Sequence, residues 1–124
     1  MRIILADHHA EPLAALKEVL QEQPGFELVG EAVDAQGLLL LAEGNPSDLV
    51  LLDSELPGKH MEYLITGLHA LDPKPVVIVM SCKFENSRML LKAGADAYVS
   101  KSDQHDWLLE ILHKYKNRTS NHLE

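Results

Sequence analysis

The sequence is poor in cysteine, in basic residues and in long apolar runs. Its one cysteine, Cys82, has no partner for an internal disulfide, so a reducing compartment fits best. Lys and Arg number 11 against 19 Asp and Glu, a formal net charge of −8. That balance disfavours direct nucleic-acid binding, which needs a basic surface to displace counterions. It equally disfavours anionic membrane surfaces. No stretch approaches the roughly 20 apolar residues of a membrane span. The apolar run Ile3 to Ala6 stops at Asp7, too short for the apolar region of a signal peptide. The expected location is the cytoplasm. No glycine-rich phosphate loop, nucleophile elbow or zinc-ligand spacing is present, which speaks against a free-standing enzyme.

What is present is alternation. The 124 residues fit one domain, and such a length removes roughly 65–70% of the unfolded chain's surface on folding. Short apolar runs at 3–6, 26–33, 49–52, 76–80 and 97–100 read as strands. Between them lie segments of helical period. Leu13, Leu16 and Leu20 mark one, stopped by Pro24-Gly25; Ala35 to Glu43 form a second, closed by Gly44-Asn45-Pro46. Met61, Leu64, Ile65 and Leu68 form a third, broken by Asp72-Pro73. Glu85 to Ala93, capped by Gly94, and a stripe of Leu108, Ile111, Leu112 and Tyr115 complete the set. Strand–helix units in succession predict an α/β fold, a parallel sheet with helices on both faces. The unbroken apolar character of 49–52 and 76–80 suits strands buried on both faces. The domain is expected over 1–118, followed by a polar tail, 119–124, that reads as a linker or a cloning remnant.

Four polar residues follow strand runs: Asp7 the first, Asp53 the third, Ser81 the fourth and Lys101 the fifth. In an open parallel sheet the carboxyl ends of the strands form the ligand crevice, so these four are expected to converge.

Five stretches carry a family resemblance. They are Ile3-Ile4-Leu5-Ala6-Asp7, Asp48-Leu49-Val50-Leu51-Leu52-Asp53, Leu56-Pro57-Gly58, Val77-Ile78-Val79-Met80-Ser81, and Gly94-Ala95-Asp96-Ala97-Tyr98-Val99-Ser100-Lys101. Each alone is weak; in this order and at these separations the sequence resembles the response-regulator receiver domains of two-component signalling, over Met1 to about Lys116. The resemblance implies a doubly wound, flavodoxin-like five-stranded sheet of order 2-1-3-4-5 with five helices. It implies that Asp53 accepts a phosphoryl group from a sensor histidine kinase, and that Asp7, Asp53 and the Glu55 backbone carbonyl hold Mg²⁺. Lys101 would pair with a phosphoryl oxygen, while Ser81 and Tyr98 would form the switch. Such a domain is no enzyme beyond self-catalysed phosphoryl transfer to and from Asp53. Ala6-Asp7-His8-His9, the 26–32 stretch and Lys101-Ser102 are similar to the branch with a helix-turn-helix DNA-binding output, here absent, that controls transcription. Tyr98 and Trp107 would then lie near a homodimer or output surface. The chemistry fits these residue types: phosphoryl transfer needs charge neutralisation and positioning.

The pattern also departs from the family. His8 stands where a second acid is usual and removes negative charge where Mg²⁺ needs it; imidazole suits Zn²⁺ or Cu²⁺ better. The Glu55 side chain is a candidate replacement ligand, or it pairs with Lys83 or points to solvent. Met61 replaces a common glycine, and Cys82 stands where Ala or Gly is preferred, read as a small residue at a buried edge. His8 and His9 could suggest a transition-metal site with Asp53, but adjacent histidines on a loop seldom point at one ion, so they are expected to diverge. The alternative reading is a pseudo-receiver, the same fold used as an interaction module without phosphorylation. Asp7 as a structural acid near Lys101, Ser81 as a strand terminus and Tyr98 as a packing residue also stay open.

Overall fold

A computed structural model describes residues 1–82, 87–101 and 105–122, with side chains described at 1–82, 87–101 and 108–117. The elements run β1 (Arg2–Ala6), α1 (Ala10–Gln21), β2 (Glu27–Ala32), α2 (Ala35–Gly44), β3 (Leu49–Asp53), α3 (Met61–His69), β4 (Val76–Ser81), α4 (Ser87–Lys92), β5 (Ala97–Ser100) and α5 (His105–His122). The strands pair in parallel in the order β2-β1-β3-β4-β5. This is the expected doubly wound sheet.

Strand alternation divides the core in two. Successive side chains leave opposite faces of a sheet. Ile4, Ala6, Val50, Leu52, Val77 and Val79 therefore share one face with Leu38 of α2, Leu64, Ile65 and Leu68 of α3, and Leu90 of α4. Ile3, Leu5, Leu49, Leu51, Ile78 and Met80 take the other face, against Leu13, Leu16 and Leu20 of α1 and Leu108 and Leu112 of α5. Right-handed crossovers explain this division of helices. The chain winds outward from β1 to β2 through α1, then reverses direction across the sheet, which carries α2, α3 and α4 to the opposite face. Burying each large aliphatic side chain contributes about 1.5–3 kcal/mol.

Local chemistry sets the ends of the elements. Asp34 caps α2, its Oδ1 accepting the Gly37 N–H at 2.7 Å. Gly94 ends α4 at φ +113°, a backbone conformation that glycine reaches without strain, and its N–H donates to the Leu91 carbonyl at 3.1 Å. Within the Leu-rich run of α2, Leu38 is buried and Leu40 is exposed.

One helix end runs beyond the expected pattern. Residues 119–122 of the expected polar tail continue α5 as helix. Helical hydrogen bonding can persist past the last apolar stripe residue, where periodicity no longer reports it. The expected start of the fourth helix, Glu85, lies outside the described residues, as do Lys83, Ser102 and the Trp107 side chain.

Candidate functional site

The sheet order reverses at β1 and β3, and the crevice of such a sheet opens there, at the carboxyl ends of the strands. Asp7 directly follows β1 and Asp53 ends β3. Both carboxylates are buried, with relative exposures of 0% and 2%. Lys101, one residue beyond β5, reaches across β4's end to them. Its Nζ donates to Asp7 Oδ2 at 2.8 Å and lies 3.6 Å from Asp53 Oδ1. A backbone bond from the Lys101 N–H to the Ser81 carbonyl, 2.9 Å, fixes where that side chain starts.

The charges are unequal in setting. Burial would raise the pKa of Asp7, but the Lys101 hydrogen bond, the His9 backbone N–H and the Lys101 charge outweigh it and hold the group below its ordinary range. Burial raises Asp53 above its ordinary range. Lys101 opposes the rise, the Asp7 charge adds to it, and a hydrogen bond from the Glu55 backbone N–H tempers it. Burial would likewise lower Lys101, but its bond to Asp7 and the two carboxylate charges hold it above its usual value. Asp53 Oδ2 is buried and has no hydrogen-bond partner. Buried polar atoms are seldom left so, and the exceptions gather at functional sites.

The α1 N-terminus supplies the rest. Asp7 Oδ1 accepts the His9 backbone N–H at 2.9 Å, an Asx turn that folds the loop back over the strand end. His9 is the N-cap of α1 but makes no side-chain cap bond. Its ring turns into the site instead, with Nδ1 3.2 Å from Asp7 Oδ1 and 3.7 Å from Asp53 Oδ2. His8 Nδ1 lies 3.4 Å from Asp53 Oδ2. The two rings are 3.8 Å apart between centroids. The expected divergence of His8 and His9 is thus corrected: the Asx turn brings both imidazoles over the same carboxylates. One ligand atom from each of Asp7, His8, His9 and Asp53 lies within 4.8 Å of the others.

Ser81 is buried at the end of β4, and the half-buried Tyr98 donates its hydroxyl to the Ser81 carbonyl at 3.3 Å. The Glu55 side chain is exposed and stands outside the cluster; its backbone N–H is what meets Asp53. Cys82 is exposed, not the buried edge residue expected, because it is the first residue beyond β4. His9 was the member that sequence reasoning set aside, on the expectation that adjacent histidines diverge. The signal was available: an acid at a strand end two residues before a helix N-cap is the setting of an Asx turn.

These donors suit Mg²⁺ only in part. Mg²⁺ takes one or two carboxylates from protein, keeps several waters and demands oxygen in near-octahedral geometry. Two carboxylates face the pocket, and the next donors are two imidazole nitrogens.

Comparison with known proteins identifies the family and agrees with the fold. A family model described as the response regulator receiver domain matches residues 3–113. The nitrate/nitrite response regulator protein NarL of Escherichia coli K12 is 32% identical over 120 residues, spanning 90% of this chain and 53% of that relative. The transcriptional regulatory protein DegU of Brevibacillus brevis is 28% identical over 114 residues, spanning 90% of this chain and 48% of that protein. The chain therefore spans about half the length of these curated relatives. Among solved structures, the response regulatory domain of mrkE from Klebsiella pneumoniae superposes with a TM-score of 0.86 at 19% identity, covering 98% of this chain and 99% of that one. A LuxR-family two-component response regulator from Aurantimonas gives 0.82 at 24% identity, covering 94% and 85%.

Proposed function

The chain belongs to the response-regulator receiver family, and on that premise we propose that Asp53 is the phosphoacceptor of a two-component relay. One observation carries the proposal: Asp53 is a buried carboxylate whose Oδ2 has no hydrogen-bond partner, at a crevice that also holds Lys101. Asp53 Oδ2 attacks the phosphorus of a phosphohistidine on a sensor kinase. The P–N bond breaks, its electron pair returns to the imidazole nitrogen, and an acyl phosphate remains on Asp53. Lys101 stabilises the charge on the transferring oxygens, the dominant catalytic need in phosphoryl transfer.

Ser81 and Tyr98 are proposed to report the event. The Ser81 hydroxyl donates to a phosphoryl oxygen, and the bond between Tyr98 and the Ser81 carbonyl passes any shift of β4 to β5. A transcriptional role, as the relative DegU, a transcriptional regulatory protein, suggests, is part of the same proposal, as are a DNA-binding segment outside this chain and dimerisation through the α5 side. No described helix is long and apolar enough to cross a membrane.

A second reading has one observation of its own. His8 and His9 stand 3.4 and 3.7 Å from Asp53 Oδ2, where an incoming phosphorus must approach. This favours a pseudo-receiver that binds partners without phosphorylation. The test is incubation with a small acyl phosphate, with and without Mg²⁺, read by intact mass. The phosphoacceptor reading expects one added phosphoryl group, absent from Asp53→Asn. No addition under either condition refutes it and leaves the pseudo-receiver.

A further inference from the structure

We propose that Asp7, His8, His9 and Asp53 form a binding site for a borderline transition-metal dication of the Zn²⁺ class, in place of hard Mg²⁺. The site itself does not rest on the reading of Asp53 as a phosphoacceptor.

Three features of the pocket point this way. The first is spacing. Four donors arranged tetrahedrally, each about 2.0–2.1 Å from an ion, stand about 3.4 Å from one another. Three of the four nitrogen–oxygen separations are 3.2, 3.4 and 3.7 Å, and one ligand atom from each residue falls within 4.8 Å of the others. The second is the unpartnered atom. Asp53 Oδ2 is buried, has no hydrogen bond, and is the oxygen on which both imidazoles converge. Imidazole lone pairs facing carboxylate oxygens repel unless a proton or a cation lies between them. The third is the donor set: two imidazoles with two carboxylates prefer Zn²⁺, Co²⁺, Ni²⁺ or Cu²⁺ over an ion that demands oxygen.

Lys101 does not obstruct the site. Its ammonium sits on Asp7 Oδ2 and beside Asp53 Oδ1. The imidazoles face Asp7 Oδ1 and Asp53 Oδ2. Each carboxylate thus turns one oxygen to the lysine and the other to the histidines. The Asp7 Oδ1 bond to the His9 N–H acts as an outer contact that orients this ligand. A corollary rests on the phosphoacceptor reading: a bound ion takes Asp53 Oδ2, the attacking oxygen, so metal and phosphoryl group exclude each other.

The experiment is calorimetric titration of the whole chain, stripped with chelator, with ZnCl₂ alone, MgCl₂ alone, and ZnCl₂ against excess MgCl₂. One Zn²⁺ per chain is expected, undisturbed by Mg²⁺. His8→Ala and His9→Ala each weaken binding by about 10–100-fold or more, while Cys82→Ser and His69→Ala leave it unchanged. The d–d spectrum of bound Co²⁺ should show four-coordinate intensity and lose it in either variant. His8 and His9 are partly exposed, so both variants are expected to fold, which circular dichroism confirms. Absence of stoichiometric Zn²⁺ binding, binding that survives the double variant, or ready displacement by Mg²⁺ each overturns the site. Phosphorylation is scored separately on chelator-treated protein. Metal binding without acyl-phosphate labelling of the stripped chain therefore removes the phosphoacceptor reading and leaves the site standing.

Discussion

Replacing Asp53 with Asn stabilises this domain at neutral pH. The carboxylate lies 3.6 Å from the Lys101 ammonium and has a ligand oxygen within 4.8 Å of one on Asp7. At an effective dielectric of about 20, the first contact attracts by about 5 kcal/mol and the second repels by at least about 3.5 kcal/mol, so they nearly cancel. Desolvation of the carboxylate, several kcal/mol, is then opposed mainly by the Glu55 N–H bond, worth about 1.5–3 kcal/mol to a charged acceptor. An uncharged amide of the same shape escapes that cost. The expected gain is about 1–2 kcal/mol, or about 4–8 °C in Tm for a domain of this length. The gain depends on pH. Burial holds the folded-state pKa of Asp53 above the unfolded value, so the native wild type binds this proton more tightly than the unfolded chain does. The advantage of the variant is full above the folded pKa and closes as pH falls toward the unfolded value of about 3.9. Urea unfolding with chelator present, followed by circular dichroism at several pH values, measures both. A variant less stable than wild type at neutral pH, or a gap that does not change with pH, refutes the reasoning.

Lys101→Met leaves two buried carboxylates without their cation and should cost about 3 kcal/mol at neutral pH. Asp7 has its folded pKa lowered, so its stabilisation is present above the unfolded pKa and is lost as pH falls through the folded value. The Met deficit should therefore shrink on acidification in urea titrations. Leu52→Ala removes a fully buried side chain from the α3 face and should lower stability by about 2–5 kcal/mol, read as a fall in urea midpoint without a change in slope. Gly94→Ala places a Cβ at φ +113°, 3.2 Å from Ile65 Cγ2, and should cost about 1–3 kcal/mol, seen as a lowered Tm.

The fold was legible where physics acts on neighbouring residues. β3 and β4 could be read because both faces of a central parallel strand need apolar cover, and 49–52 and 76–80 supply it without interruption. The convergence of Asp7, Asp53 and Lys101 followed from the parallel sheet, since strand ends gather at one edge whatever lies between them. What the sequence concealed depended on rotation at single bonds. The ring of His9 could have capped α1 by its own chain direction; the Asx turn on Asp7 Oδ1 aims it at Asp53 instead. For Glu55 the sequence left ligation and a solvent-facing side chain both open; the side chain is exposed, and its amide, not its carboxylate, reaches the site. The extension of α5 past Lys116 has no apolar period to announce it.

The division of carboxylate oxygens separates the lysine contact from the face that meets the histidines. Lys101 holds Asp7 Oδ2 and faces Asp53 Oδ1, and neither histidine approaches those atoms among the described contacts. Changing His8 therefore alters the donor set for a cation while leaving the ammonium in place. An acid at that position adds a hard oxygen donor and moves preference toward Mg²⁺; the imidazole moves it toward softer ions. Asp53 Oδ2 is the single atom that both chemistries need. Because one oxygen cannot be metal ligand to an imidazole-bound ion and nucleophile at phosphorus in the same step, the identity of residue 8 sets which demand is met first.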